Sequence, residues 1–408
     1  MNIAIVHYAE ELPTDPGFVS SRYASLAKVL VARGHEPVRI APTFSHRRKA
    51  MRDRQGTVHS EPWGAIHLVE TPGYRSHRSL ARLRHLRTFA RGAAQVAARL
   101  RPDVILSGCP PAGLAAALAR GRNGRRPTII VDVRDLWPDA QRATSRGLTR
   151  FGLRAVTPLI RKQVARDANS VDGIVGISQH YATWLERHRT IAEQVPTAIV
   201  PLGTRPPPHA TEDETNERRG VIFAGSLTHH FAFDALLGAW AILERRRPDL
   251  AALHPLTLLG DGAARRDIHE RAASLSHVRI VGRIPHADAF EAMERAALAV
   301  APYQSDAAMG LPNKLFEYLS ARLPIVSTLR GEMAQFLGQH DLGTTVDEGD
   351  LQGYAHAMIS WLDDSERRTL AGHHGHDLTQ RDYNHDVLGA RLADFLLAVH
   401  EQRASIRG

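Results

Sequence analysis

Residues 311–327, LPNKLFEYLSARLPIVS, place Lys314 and Glu317 three positions apart on a helical pattern that begins around Pro312 and ends before an apolar strand. A proline in the first turn costs a helix nothing, because the N–H it lacks has no intrahelical acceptor there. The positive end of the helix dipole is then a seat for an anion such as a diphosphate. On a helical wheel Leu311, Leu315, Phe316 and Leu319 form the side that packs on a sheet, and Lys314, Glu317 and Tyr318 form the other. Two chemistries fit. One is an i, i+3 surface ion pair worth about 0.2–0.5 kcal/mol; the other has Glu317 accepting from both ribose hydroxyls of a nucleotide while Lys314 stands near its phosphates. Elsewhere, the histidines of HHGH at 373–376 come without the acid or cysteine spacing of a metal site. Cys109, in SGCPPAG, reads as a small loop residue, with no local pattern that names a histidine partner.

The elements that must position these residues alternate along the chain. Short β-branched runs at 2–7, 37–41, 65–70, 103–107, 128–133 and 171–178 are separated by helical patterns such as 20–35, which ends at Gly34. The same alternation resumes with strands at 220–225, 255–260, 278–282, 298–303, 324–327 and 342–346, and helices at 233–246, 263–274, 286–296 and 312–321. Alternation of this kind implies parallel strands joined by crossover helices, hence a doubly wound α/β sheet. Between the two series, GTRPPPHATEDETNERR at 203–219 is proline-rich and then charged, and cannot bury a core. The expected organisation is therefore a Rossmann-like domain at 1–203, a linker at 204–219, a second Rossmann-like domain at 220–385, and a final helix at 386–408 that crosses back to the first domain. Two such domains imply a cleft at the carboxyl ends of both sheets, where ligands bind.

Bulk properties narrow the function classes. The chain has 408 residues, 43% hydrophobic and 23% charged, which suits two globular domains. Its apolar runs are far shorter than the roughly 20 residues of a membrane span, and the N-terminus lacks the pattern of a secretory signal. The single cysteine fits a reducing cytoplasm. The formal charge of +9 is largely arginine, clustered at 75–101, where Arg75, Arg78, Arg82, Arg87 and Arg91 alternate with Leu83, Leu86, Phe89 and Ala90. Such a segment suits anionic headgroups or phosphate-bearing substrates, and equally reads as a solvated helix face. Nucleic acid is not expected as a partner, since no zinc-finger spacing, RNA-binding signature or basic-zipper heptad occurs.

The order of the segments VIFAGSL (221–227), LTLLGDGAAR (256–265), VRIVGRIPHADAFEAMERAALAVAPY (278–303) and LPNKLFEYLSARLPIVSTLRGEMAQFL (311–337) resembles glycosyltransferase family 4, retaining enzymes of the GT-B fold. In the first half, 17–42 looks like that family's first loop and helix, and VDVRDLWPD (131–139) is similar to bacterial fucosamine transferases that build cell-surface polysaccharides. The resemblance implies a nucleotide-sugar donor, UDP-sugar by analogy, a lipid-linked or surface-glycan acceptor, and a cytoplasmic enzyme held peripherally at the membrane through 75–101. Glu317 matches the ribose-binding second acid of the family's E-x7-E motif; the first acid falls on Met309, a departure that bears on sugar contacts. Gly310 and Leu311 match the amides facing sugar and diphosphate, and Arg283 and Ile284 the backbone that contacts the base. Gly225 and Ser226 open the loop where the family places an arginine and a lysine on the diphosphate; GSLTHHFAFD has neither, so Lys314 and His229 or His230 would have to compensate. In the first domain Arg134 and Asp135 match a position beside the donor sugar. Asp135 either orients or deprotonates the acceptor hydroxyl or simply caps the strand end, and Gly17 either approaches the diphosphate or serves as a turn glycine. With no Asp-x-Asp in the chain, neither metal nor cofactor is expected. The alternatives are a transferase for a soluble natural product, a nucleotide-sugar 2-epimerase, and a non-catalytic nucleotide-sugar-binding protein.

Overall fold

The structure, a computed structural model, describes residues 1–18, 21–52, 56–59, 62–76, 79–120, 126–139, 148–205, 217–307 and 309–407. The chain divides into two compact α/β units, Met1–Leu202 completed by His385–Gly408, and Gly203–Asn384. Of the expected linker at 204–219, residues 206–216 lie outside the described residues. Just before them, at the ends of the second unit, Thr204 pairs with Asn384 and its N–H donates to the Tyr383 carbonyl at 3.1 Å.

Among the described residues the first unit has ten strands: β1 (Asn2–Val6), β2 (Glu36–Pro42), β3 (Phe44–Ser45), β4 (Ala50–Met51), β5 (Gly56–His59), β6 (Ala65–Val69), β7 (Val104–Cys109), β8 (Thr128–Val133), β9 (Gly173–Gly176) and β10 (Thr197–Ile199). Eight form one sheet in the order β10-β9-β8-β7-β1-β2-β6-β5, parallel except for β5, which closes a hairpin on β6; β3 and β4 pair separately. The runs VILSGC and TIIVDV, apolar but for Ser107, Thr128 and Asp132, are buried throughout, as parallel strands covered on both faces must be. Helix Arg22–Ala32 starts where the Ser21 hydroxyl accepts from the Ala24 N–H, and helix Leu80–Leu100 where Ser79 accepts from Arg82. The terminal helix His385–Arg407 lies against Arg22–Ala32 so closely that a Cβ on Gly389 would stand 3.0 Å from the Ser25 carbonyl carbon. Its Leu388, Leu392, Leu396 and Val399 share one core with Ile3, Ile5, Tyr23 and Leu26.

Among its described residues the second unit has six parallel strands, β11 (Val221–Ala224), β12 (Leu256–Leu259), β13 (Val278–Val281), β14 (Leu298–Ala301), β15 (Ile325–Ser327) and β16 (Gly343–Thr345), in the order β13-β12-β11-β14-β15-β16. One face is covered by a core around Trp240, Tyr354, Met358 and Trp361, the other by Phe290, Phe316, Leu319, Met333 and Leu337. Helix Asn313–Ser320 belongs to the second layer.

The basic segment differs from its expected form. Arg78 lies outside the described residues. Arg84, Arg87, Arg91 and Arg99 are exposed, but Arg82 is buried, its Nη2 donating to the Tyr8 hydroxyl at 2.9 Å, so it does not belong to a surface stripe. Among the described residues no helix is long and apolar enough to cross a membrane.

Candidate functional site

Among the parallel strands of each sheet the order reverses once, between β1 and β7 in the first unit and between β11 and β14 in the second. Such reversals open a crevice at the carboxyl ends of the strands. Most of the residues singled out by sequence fall on the loops there.

In the second unit the loop after β11 is built on glycines that let backbones touch. A Cβ on Gly260 would stand 1.8 Å from the Gly225 carbonyl oxygen, and one on Gly262 would stand 2.3 Å from that of Leu227. The Gly225 N–H donates to Leu259 at 2.8 Å, and this loop is tied to the one after β14 by Ala232 N–H to Pro302 (2.5 Å) and Gln304 N–H to His230 (3.2 Å). Ser226, His229 and His230 are exposed on it. The pairing of β11 with β14 stops at Ile222 and Ala299. Both main-chain groups of Ala224 are taken instead by helix Asn313–Ser320: its N–H donates to the Tyr318 hydroxyl at 3.0 Å, and its carbonyl accepts from Lys314 Nζ.

This clamp corrects two expectations. Tyr318 does not share the open side with Glu317 but is fully buried, and burial raises its pKa. Lys314 forms no surface ion pair; its ammonium fills the space a Gly225 side chain would need, 1.8 Å from the ideal Cβ, and lies 4.8 Å above the Phe223 ring and 5.7 Å from that of Phe231. Burial lowers its pKa, with Glu317 acting the other way. Glu317 is half-buried one turn into the helix, where its Oε1 accepts from Asn313 Nδ2 at 3.0 Å. The first-turn N–H groups of this helix, which have no intrahelical acceptors, follow directly on exposed Met309, buried Gly310 and half-buried Leu311. Arg283 is exposed and Ile284 half-buried on the loop between β13 and helix His286–Arg295. His376, in the histidine cluster, bonds through its ring Nδ1 to the Ser320 carbonyl at 2.8 Å. Among the described residues there is no group of three metal-ligating side chains.

In the first unit Arg134 and Asp135 follow β8 directly. The Arg134 N–H donates to the Cys109 carbonyl at 2.9 Å, its Nη1 to Glu10 at 3.1 Å, and its guanidinium lies 5.1 Å over the Tyr23 ring. Burial opposes its charge, yet Glu10, Tyr23 and Asp132 hold its pKa above the ordinary value. Asp135 is pushed the other way: burial raises its carboxyl pKa, against the pull of Arg82 and the Leu136 N–H. A carboxylate in that condition is a better proton acceptor than one in water. Around these two lie a buried Arg22–Asp132 pair at 2.9 Å and Arg39, fully buried, whose pKa burial lowers to about 10. Gly17 is exposed on the loop after β1 with φ +70, which favours glycine, and no atom stands within 4 Å of where its Cβ would be. The buried Asp15–Arg52 pair, at 2.8 Å, pins that loop. The sequence does not single out Glu10 or Asp132, and it offers Arg82 only as part of the basic segment; the position of Glu10 just past β1 is the one signal of a place at the strand ends. Cys109 is buried, and burial raises its pKa well above the thiol range, away from a nucleophile's.

The chain matches two family models, Glycosyltransferase Family 4 over residues 19–206 and Glycosyl transferases group 1 over 218–364. No curated protein matches it. Among solved structures it is similar to α,α-trehalose 6-phosphate synthase from Burkholderia multivorans (13% identity, TM-score 0.70, covering 100% of this chain and 98% of that one). It is also similar to WaaG, a glycosyltransferase involved in lipopolysaccharide biosynthesis (16%, 0.64, 97% and 99%). A third, from E. coli, is described as trehalose-6-phosphate bound with UDP-2-fluoro glucose (10%, 0.67, 97% and 99%). At these identities the likeness shows the fold, two parallel-sheet α/β domains of the GT-B type.

Proposed function

The chain carries the two domains of a glycosyltransferase, Family 4 ahead of group 1, and from that premise we propose that it moves a sugar, with retention and without a metal, from a UDP-sugar to a lipid-linked or surface-glycan acceptor at the cytoplasmic face of the membrane. The observation that carries the reading is the helix Asn313–Ser320, whose amino end follows Gly310 and Leu311 while Glu317 keeps a carboxylate one turn further in. The diphosphate sits on the first-turn amides, and Glu317 accepts from the ribose hydroxyls. The bond from the anomeric carbon to the diphosphate breaks, the acceptor oxygen bonds on the same face of the sugar, and the second unit stabilises the charge gathering on the leaving diphosphate. In the first unit Asp135, with its raised pKa, orients or deprotonates the acceptor hydroxyl beside Arg134. The UDP-2-fluoro glucose of one structural neighbour supports the choice of donor, and the lipopolysaccharide role of another supports the choice of acceptor.

Calorimetry with UDP, GDP and ADP tests the donor. UDP is expected to bind, and Glu317→Ala to weaken it about 10- to 100-fold, the loss of hydrogen bonds to a charged group at about 1.5–3 kcal/mol. Unchanged affinity removes Glu317 from the site. A second reading, a nucleotide-sugar-binding protein without transferase activity, draws on Lys314, which is turned to Ala224 in a loop lacking other cations; release of UDP from UDP-sugar on adding acceptor decides against it.

A further inference from the structure

The first unit holds a groove of about 270 Å³ that the chemistry above does not use, walled by helices Leu80–Leu100, Leu114–Leu118 and Leu148–Ala168. Its surface is apolar, from Leu83, Ala90, Trp137, Leu159 and Ile160. Four arginines rim it: Arg87, Arg91, Arg120 and Arg166, all exposed. Among the described residues none of the four has an acidic partner, although most arginines of the first unit's loop network do. The buried carboxylate of Asp167 is spent: it accepts the N–H groups of Gly113 (2.5 Å) and Ala116 (2.8 Å), two residues of the groove wall. An apolar trough edged by unpaired guanidinium groups fits one kind of molecule, a hydrocarbon chain that ends in phosphate, since the chain alone leaves the arginines idle and phosphate alone leaves the trough wet.

Resting on the transferase reading above, we infer that this groove seats the carrier end of the acceptor, the first part of the chain and the phosphate or diphosphate of a lipid phosphate. Its volume lies just below the roughly 300–1,000 Å³ of ordinary ligand sites, enough for the head-proximal part of a chain whose remainder stays in lipid. The loops after β7 and β8 contribute Pro111 and Trp137 to its wall, and the second of them carries Arg134 and Asp135, so a phosphate held on the rim keeps the attached acceptor sugar at the same end of the sheet as the proposed base.

The test is binding of geranyl diphosphate to the full chain, measured by calorimetry with UDP saturating, beside geraniol and inorganic diphosphate. Geranyl diphosphate is expected to bind at least tenfold tighter than either fragment. Arg87→Ala combined with Arg91→Ala, and separately Ala90→Trp, which fills the trough, should each weaken it tenfold or more with the melting temperature unchanged. Absence of binding, equal binding of geraniol, displacement by equimolar inorganic diphosphate, or indifference of both variants overturns the inference. Affinity for UDP alone, recorded for each protein, separates this outcome from failure of the donor site, which would show as lost UDP binding with geranyl diphosphate still bound.

Discussion

Replacing Gly225 with alanine tests the clamp at the end of β11. The added carbon would lie 1.8 Å from Lys314 Nζ and 2.7 Å from its Cε, against a comfortable separation of about 3.5–4.0 Å for packed heavy atoms. The lysine must leave, and with it the hydrogen bond its ammonium gives to the Ala224 carbonyl, worth about 1.5–3 kcal/mol for a charged donor. Gly225 also has φ +148, where an alanine is strained by about 1–3 kcal/mol. The terms overlap, since movement that relieves one relieves part of the other, so the expected loss is about 2–4 kcal/mol. Calorimetric unfolding should show this as a fall of about 4–16 °C in the midpoint of the second unit, and UDP affinity should fall with it as the loop shifts. Gly338→Ala is the control: it lies in helix Glu332–Gln339 with no atom within 4 Å of the new carbon, so it should be neutral or stabilise by up to about 1 kcal/mol. A Gly225→Ala protein that melts with its parent and binds UDP as well would refute the account of Lys314 and Gly225 together.

Tyr318→Phe removes the acceptor for the Ala224 N–H and should cost about 1–3 kcal/mol in chemical denaturation; a neutral effect would show that the strand end finds another partner. Burial raises the Asp167 pKa to about 7 from 3.8, so the folded chain holds a proton that the unfolded one releases, and stability should fall as pH rises from about 4 to about 7, by roughly 4 kcal/mol at most. Asp167→Asn should flatten that slope in urea titrations at pH 5 and 7.5; an identical slope would clear Asp167 of the effect. Gly389→Leu, forced against the Ser25 and Leu26 backbone, should destabilise the first unit by about 1–3 kcal/mol, and a melting temperature equal to the parent's would contradict the close helix approach.

The strands are legible in the sequence because parallel strands buried on both faces leave unbroken apolar runs, as in VIFA and LAVA. Strand β10, with two of its three residues exposed, leaves no such run and was not foreseen. Tyr318 lies three residues past buried Leu315, about 60° from it around the helix, whereas Glu317, two residues past it, lies about 160° away. Arg82 was harder. It lies in register with buried Leu86, Phe89, Ala93 and Ala97, but a charged residue on an apolar stripe gives no sign of whether it snorkels out or finds a partner, and the partner here, Tyr8, is 74 residues away in sequence. The candidate site was visible as strand-end loops and one helix start; what each side chain does there depended on contacts that local spacing does not contain.

The sharing of one core by Ile3, Ile5 and Leu26 with Leu388, Leu392 and Leu396 has a consequence for biosynthesis. As the chain leaves the ribosome at about 5–20 residues per second, the segment Gly203–Asn384 is available to fold in full before the first unit has its last helix. The amino-terminal sheet must therefore wait for roughly ten seconds or more with one flank uncovered, a window in which a holding chaperone would find Tyr23 and Leu26 within reach, and a nonsense mutation just past Asn384 would leave the earlier-made half, not the later one, unfinished.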